Sequence, residues 1–142
     1  MSVTLTPSIT EVAVNDELPS IEIPITLQRL VMEAGANRDF SLMHHDGGVA
    51  RTTGAPDAFA NTYFLMGMFE RLIRQWAGPD ARIRKIGPLR MLLFNAVGDT
   101  IQFKGVVESF DKKTGTVSVS MWVDSERGQT VTAKALVELG PK

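Results

Sequence analysis

The sequence predicts an α+β fold in which a curved antiparallel sheet wraps around one long buried helix. Three observations carry this expectation. The stretch AFANTYFLMGMF, from Ala58 to Phe69, is apolar on nearly every face, which calls for burial on all sides rather than one apolar stripe. From Ala81 onward the apolar period changes from helical toward two, in runs rich in β-branched residues. Turn-forming clusters at Gly98-Asp99, Asp111 to Gly115 and Ser125 to Gly128 separate these runs. A fully apolar helix followed by long strands is best satisfied if the sheet curls around it; the runner-up is a sandwich with its helices on one sheet face.

Taken in chain order, the first segment, MSVTLTPSITEVAVNDELPS, mixes turn formers with short apolar runs broken at Pro7 and Pro19, which predicts an N-terminal arm or edge strand over 1–20. Thr26 then suits a helix N-cap, with Leu27, Leu30, Val31 and Ala34 at helical spacing and a stop near Gly35 to Asn37. The loop RDFSLMHHDGG follows, Arg38 to Gly48, holding both histidines of the chain. RTTGAPD is turn chemistry, and Asp57 is placed to cap the long helix, whose second half, ERLIRQW, becomes amphipathic before a stop at Gly78-Pro79. ARIRKIGPLRMLLF, DTIQFKGVVESFD, GTVSVSMWVDS and QTVTAKALVEL read as four strands of an antiparallel meander. Such a sheet leaves edges that a second copy can pair, which predicts an oligomer.

Composition bounds the function. A chain of 142 residues fits one domain, 1–142, with a single core. Fifteen Lys and Arg against sixteen Asp and Glu leave no basic footprint for nucleic acid. The absence of cysteine excludes disulfides, thiolate metal sites and a cysteine nucleophile. No leader pattern and no apolar run near about 18 residues is present, so the expectation is a cytoplasmic protein without a membrane span. Small molecules or other protein surfaces are the expected partners.

The chemistry-bearing stretch is the histidine loop. Asp39 precedes His44 by five residues, a spacing compatible with a general acid–base pair or with capping and solvated turn roles. The adjacent His44 and His45 are poorly disposed to chelate one ion from one loop and lack a third ligand, so no metal is expected. Phe64, Met66, Met68 and Phe69 suit core filling on the buried helix. Arg82, Arg84, Lys85 and Arg90 read as a solvated strand face.

On these residues the chain resembles the MaoC-like (R)-specific enoyl-CoA hydratase and dehydratase family, whose hot-dog fold carries the motif D-x-N-P-x-H-x-D on a loop after a short helix. The matching positions are Asp39, Ser41, Leu42, His44 and Asp46, and the family's His-Gly pair at the start of the central helix falls on Asn61-Thr62, seventeen residues after His44. Within the family, RDFSLMHHD, FAN and QWAGPDARIRKIG most resemble the small single hot-dog subunit of the heteromeric hydratase acting on steroid side-chain CoA thioesters.

The resemblance implies an enzyme, a hydro-lyase that adds water to a trans-2-enoyl-CoA or removes it from a 3-hydroxyacyl-CoA, with no cofactor beyond the coenzyme A of the substrate. It assigns Asp39 and His44 to activating the water and returning a proton, without deciding which does which. Asn61 and Thr62 take the substrate-binding role, with the Thr62 amide as the donor to the thioester oxygen. Ser41, His45 and Asp46 are supporting residues, Met66 and Met68 gain a second reading as lining of an acyl tunnel, and Arg82, Arg84, Lys85 and Arg90 gain one as contacts to CoA phosphates. Beside Phe40, Leu42 and Met43, the Asp39 carboxyl is expected to shift toward neutrality by desolvation. The implied assembly is a homodimer or a heteromer with another MaoC-like hot-dog chain. Two departures from the pattern, Ser41-Leu42 for Asn-Pro and Asn61-Thr62 for His-Gly, leave two alternatives open: a non-catalytic or half-site subunit of a heteromeric hydratase, and an acyl-CoA thioesterase or thioester-binding protein, for which Asp57 and Glu70 are the available helix acids.

Overall fold

A computed structural model describes residues 6–139. The elements in order are β1 (Ile21–Pro24), α1 (Leu27–Asn37), a 3-10 turn (Leu42–His44), α2 (Gly47–Thr52), α3 (Thr62–Ala77), β2 (Arg82–Ile86), β3 (Arg90–Met91), β4 (Thr100–Asp111), β5 (Thr116–Ser125) and β6 (Gly128–Glu138). One six-stranded antiparallel sheet runs in the order β1-β4-β5-β6-β2, with β3 also paired to β6.

Alternation explains why the sheet has one buried face. Along β5, Val117, Val119, Met121 and Val123 are buried while their neighbours are partly exposed, the period expected of a half-buried strand. They join Ile101, Phe103 and Val107 of β4, and Val131, Ala133, Ala135 and Val137 of β6, in one apolar cluster with Leu65, Phe69, Leu72, Ile73 and Trp76 of α3. Phe69 meets Phe103 edge to face, 5.3 Å between centroids. The curled sheet around α3 is the predicted architecture.

Several expectations need correction. The four-strand meander holds only for β4, β5 and β6; the first run is divided at Gly87-Pro88 into β2 and β3, and both pair with β6 at the far edge. Pro88 has no N–H for a ladder, so one unbroken strand could not persist there. The long helix starts at Thr62 with Asn61 as N-cap, not at Asp57, because residues 58–60 are not helical and bond instead to the segment before β4, Ala60 N–H to Asn95 O at 2.9 Å and Val97 N–H to Ala58 O at 2.8 Å, around a single bridge of Phe59 to Ala96. Nor is α3 buried on every side: Tyr63 is 63% exposed, with Thr62 and Gly67 also at the surface.

The loop after the histidines is more ordered than turn chemistry implies. Asp46 caps α2 by accepting from the Val49 N–H at 3.1 Å, and Gly47-Gly48, poor helix formers, hide this helix from propensity alone. In α1, Thr26 caps as predicted, but only Leu30 and Ala34 are buried; Leu27 and Val31 are exposed. Residues 1–5 of the predicted arm lie outside the described residues. Of the remainder, residues 15–18 bond along the β4 edge beyond β1, bridging Glu17 to Val106, and Val12 and Leu18 lie in the core. Among the described residues no helix is long and apolar enough to cross a membrane.

Candidate active site

Helix α1 ends at Asn37 and is capped by Arg38, whose φ of 56° places it in the left-handed region, and Asp39 follows with its N–H bonded to Ala34 O at 2.9 Å. The chain then closes the 3-10 turn through His44 N–H to Ser41 O, 3.2 Å, and Asp46 N–H to Leu42 O, 2.7 Å. This turn needs no proline: it forms over Ser41-Leu42 and carries His44 back toward Asp39.

The structure brings Asp39, His44 and Asn61 together. Asp39 Oδ2 lies 3.5 Å from His44 Nε2, with side chains only 23% and 11% exposed. Asn61 Nδ2 donates to the same Oδ2 at 2.8 Å, and the Ser41 N–H donates to Oδ1 at 3.2 Å. Asn61 Oδ1 accepts from the Phe64 N–H at 2.8 Å, so one amide caps α3 and grips the carboxylate. The Thr62 N–H, one of the first-turn donors of α3, takes no partner among the described residues.

His44 is oriented from the other side. Its Nδ1 lies 2.8 Å from the Phe59 carbonyl oxygen, and Phe59 packs edge-on at 5.0 Å. A carbonyl only accepts, so Nδ1 carries the proton, and in the neutral ring Nε2 presents a lone pair toward Asp39.

The electrostatics of Asp39 reverse the expectation. Its carboxyl is held below the usual range chiefly by the Asn61 hydrogen bond, with the Ser41 N–H, His44 and His45 assisting and burial opposing. Phe40 and Leu42, expected to desolvate it, are 78% and 53% exposed; the donors reach the carboxylate and the apolar neighbours face out.

Sequence reasoning missed Glu33. Burial pushes its carboxyl up, Asp39 adds to the effect, and His44 and the Asn61 amide oppose it. The available signal was its place on α1, one turn beyond buried Leu30 and beside buried Ala34, on the flank that turns inward. Glu33 also lines an open groove of about 490 Å³ with Thr26, Gln28, Arg29, Met32 and Phe64.

The other predicted residues lie elsewhere in the geometry. Ser41 and Asp46 shape the turn and cap α2. Met68 packs against the main core. Asp57 pairs with Arg51 at 3.7 Å, and its carboxylate sits where any β-carbon at Gly47 would collide with it. Glu70 is exposed and pairs with Arg74 at 3.6 Å, so neither acid joins the Asp39 cluster. Arg84 is engaged by Glu138, while Arg82, Lys85 and Arg90 are exposed on β2 and β3.

No family model matches the chain. Among curated proteins, it is 34% identical over 116 residues to the 3-oxo-4,17-pregnadiene-20-carboxyl-CoA hydratase beta subunit of Mycobacterium tuberculosis, covering 82% of this chain and 88% of that protein. Among solved structures, a chain of the ChsH1-ChsH2 complex from Mycobacterium tuberculosis matches with a TM-score of 0.85 and 31% identity, over 90% of this chain and 98% of that one. A MaoC-like dehydratase matches at 0.86 and 26% identity, over 95% of this chain and 43% of the other. The (R)-hydratase of A. caviae involved in PHA biosynthesis, 20% identical, matches at 0.83 over 91% of this chain and 98% of its own, a likeness of fold.

Proposed function

Since the chain belongs to the MaoC-like hydratase family, with its hot-dog fold, we propose that it hydrates a trans-2-enoyl-CoA thioester, or dehydrates the 3-hydroxyacyl-CoA, using Asp39 and His44. The observation that carries this reading is the contact of Asp39 Oδ2 with His44 Nε2 at 3.5 Å, with both groups oriented by bonds outside the pair.

In the proposed reaction a water is held between the ionised Asp39 and the Nε2 lone pair of His44. His44 takes one proton as the water oxygen bonds to the β-carbon, and the electron pair of the double bond moves toward the thioester oxygen. The Thr62 N–H at the positive end of α3 stabilises that developing charge. Asp39 stabilises the imidazolium, which then returns its proton to the α-carbon, so that one water is added and both residues are regenerated. Coenzyme A enters only as part of the substrate; Arg82, Lys85 and Arg90 are proposed phosphate contacts, whereas Arg84 would first have to leave Glu138.

A second reading has its own support: the chain is one subunit of a heteromeric hydratase, and another MaoC-like hot-dog chain completes the acyl tunnel. The curated relative is a beta subunit, and Phe40, Leu42 and Tyr63, around the Asp39 loop and the start of α3, are large apolar side chains left exposed. Assaying the purified chain with short and bulky enoyl-CoA substrates, alone and with a MaoC-like partner, distinguishes the readings. A fully active homodimer excludes the second; a folded chain inert on every enoyl thioester in both settings overturns the hydratase assignment itself.

A further inference from the structure

The carbonyl that orients His44 hangs on residues 94–99, which lie between β3 and β4 and belong to neither strand. Asn95 O accepts from the Ala60 N–H at 2.9 Å, Val97 N–H donates to Ala58 O at 2.8 Å, and Phe59 bridges Ala96 between them. The rings repeat this order, His44 against Phe59 at 5.0 Å and Phe59 against Phe94 at 4.7 Å. Where residues 94–99 sit therefore decides where Phe59 O sits.

Two side chains from the β5–β6 hairpin hold this loop. On the inside, Thr130 Oγ1 donates to Asn95 Oδ1 at 2.6 Å, with both residues fully buried. On the outside, Arg127, in the turn between the two strands, donates through one terminal nitrogen to Phe94 O at 2.6 Å and to Asp99 Oδ2, bonds strengthened by the charge of the guanidinium. The same Oδ2 accepts from the Ala96 N–H at 2.9 Å. Arg127 thus grips the loop on both sides of residues 95–97, the three that meet residues 58–60. Its own backbone is held by Ser125, whose Oγ accepts from the Arg127 N–H at 3.1 Å. The guanidinium bonds to the loop and not to Asp39, His44 or Asn61, so any influence on the site passes through Phe59.

We propose that Arg127 is a positioning residue for His44: by holding Phe94 O and Asp99 it fixes the 94–99 loop, so that Phe59 O keeps the imidazole proton on Nδ1 and leaves the Nε2 lone pair facing Asp39. The consequence for catalysis rests on the hydratase reading above; the effect on the ring does not. A neutral imidazole carries its proton on either nitrogen, and here one carbonyl makes the choice. With the loop released at Phe94 and Asp99, Phe59 O shifts with residues 95–97, and the tautomer protonated on Nε2, which cannot accept a proton there, gains population. Thr130 still holds Asn95, so the loop loosens without the fold being lost.

Imidazole nitrogen NMR of the full chain at about pH 8.5, where both histidines are neutral, reads the tautomer of His44 directly. Arg127→Met keeps an unbranched stem and removes every donor; Lys134→Met, which gives up the surface ion pair with Glu108 on the same hairpin, is the control. The expected result is a rise of about threefold or more in the Nε2-protonated fraction of His44 in Arg127→Met, with Lys134→Met like wild type. In enoyl-CoA hydration kcat should fall about three- to tenfold in Arg127→Met, less than the roughly hundredfold of a full ångström's misplacement, with KM nearly unchanged. Should Arg127→Met not fold, Asp99→Asn carries the same test, because it keeps an oxygen for the Ala96 N–H and gives up the charge that holds Arg127. A folded variant with the wild-type His44 tautomer overturns the inference even if its urea midpoint has dropped, since a staple for stability alone leaves the ring untouched. An equal shift in Lys134→Met, or a tautomer shift that leaves the kcat of an active enzyme unchanged, overturns it too. If the tautomer shifts in Arg127→Met alone while the wild type hydrates no enoyl-CoA with any partner, the positioning of the ring stands and the hydratase reading fails.

Discussion

The Phe59 carbonyl oxygen lies 2.8 Å from His44 Nδ1 across a separation of fifteen residues, and the extended segment that carries this carbonyl is bonded on both sides to residues 95–97. The ring is thus aimed by the segment that precedes β4 rather than by the histidine loop. The Asn-Pro of the family motif is replaced by Ser41-Leu42 without loss of this aim.

That bond makes a clean test of catalysis possible. In His44→Asn the side-chain amide can still donate to Phe59 O, but nothing replaces Nε2. The variant should stay folded and lose activity by about a hundredfold to ten-thousandfold, as for removal of a general base. Asp39→Asn should lose a comparable factor. Steady-state hydration rates, with circular dichroism to verify folding, decide the matter: a folded His44→Asn protein with retained activity would place the chemistry in another chain.

Asn61 has two duties that substitutions can separate. Asn61→Ala removes both the α3 cap and the grip on Asp39, and should cost about 1 kcal/mol in urea unfolding from the lost cap. Asn61→Ser can still accept from the Phe64 N–H but cannot donate from the amide position. Its unfolding midpoint should stay near wild type, while Asp39 titrates at higher pH in both variants because its largest stabilising donor is gone. Equal midpoints for Ser and Ala would mean that Asn61 is not the effective cap.

These residues also mark how far the sequence could be read. Periodicity located β4, β5 and β6, and the family resemblance carried by the Asp39–His44 spacing pointed to half of the candidate site, because both depend on neighbours in the chain. The amide of Asn61 arrives from the start of α3, and its meeting with Asp39 depends on how the end of α1 and the start of α3 come together, which no local pattern encodes. Desolvation of Asp39 was inferred from apolar sequence neighbours, yet Phe40 and Leu42 face outward; adjacency in sequence is not adjacency in space. The Asp57 cap was misplaced because Ala58 to Ala60 are apolar enough to pass for helix, while their backbone bonds go to the segment before β4.

Helix α3 offers a contrast between its two faces. Phe69 is fully buried against Phe103, so Phe69→Ala should cost about 3–5 kcal/mol in chemical denaturation. Tyr63, 63% exposed, should change the stability of the isolated chain by less than about 0.5 kcal/mol on conversion to Ala. If a second hot-dog chain covers the start of α3, Tyr63→Ala will instead weaken association, read by sedentation of mixtures at graded concentration. A large loss of stability in the isolated Tyr63→Ala chain would contradict the exposed placement.

The two site carboxylates predict opposite contributions to stability as pH changes. Asp39 has its folded pKa below its ordinary value, so its contribution is present above the unfolded pKa and is lost as pH falls through the folded one. Glu33 has its folded pKa raised: the native state binds its proton more tightly than the unfolded chain, so stability falls as pH rises from the ordinary glutamate value through the folded one, and the penalty persists at neutral pH. Glu33→Gln should therefore be more stable than wild type at pH 7, with the difference vanishing below about pH 4, where wild-type Glu33 is protonated in both states. Asp39→Asn should be less stable than wild type at pH 7, and its deficit should shrink as the solution is acidified. Urea unfolding of the three proteins from pH 3 to pH 7 measures both slopes. Parallel stability curves for Glu33→Gln and wild type over that range would mean that Glu33 is solvated like a surface residue, and its assignment to the site would fall with them.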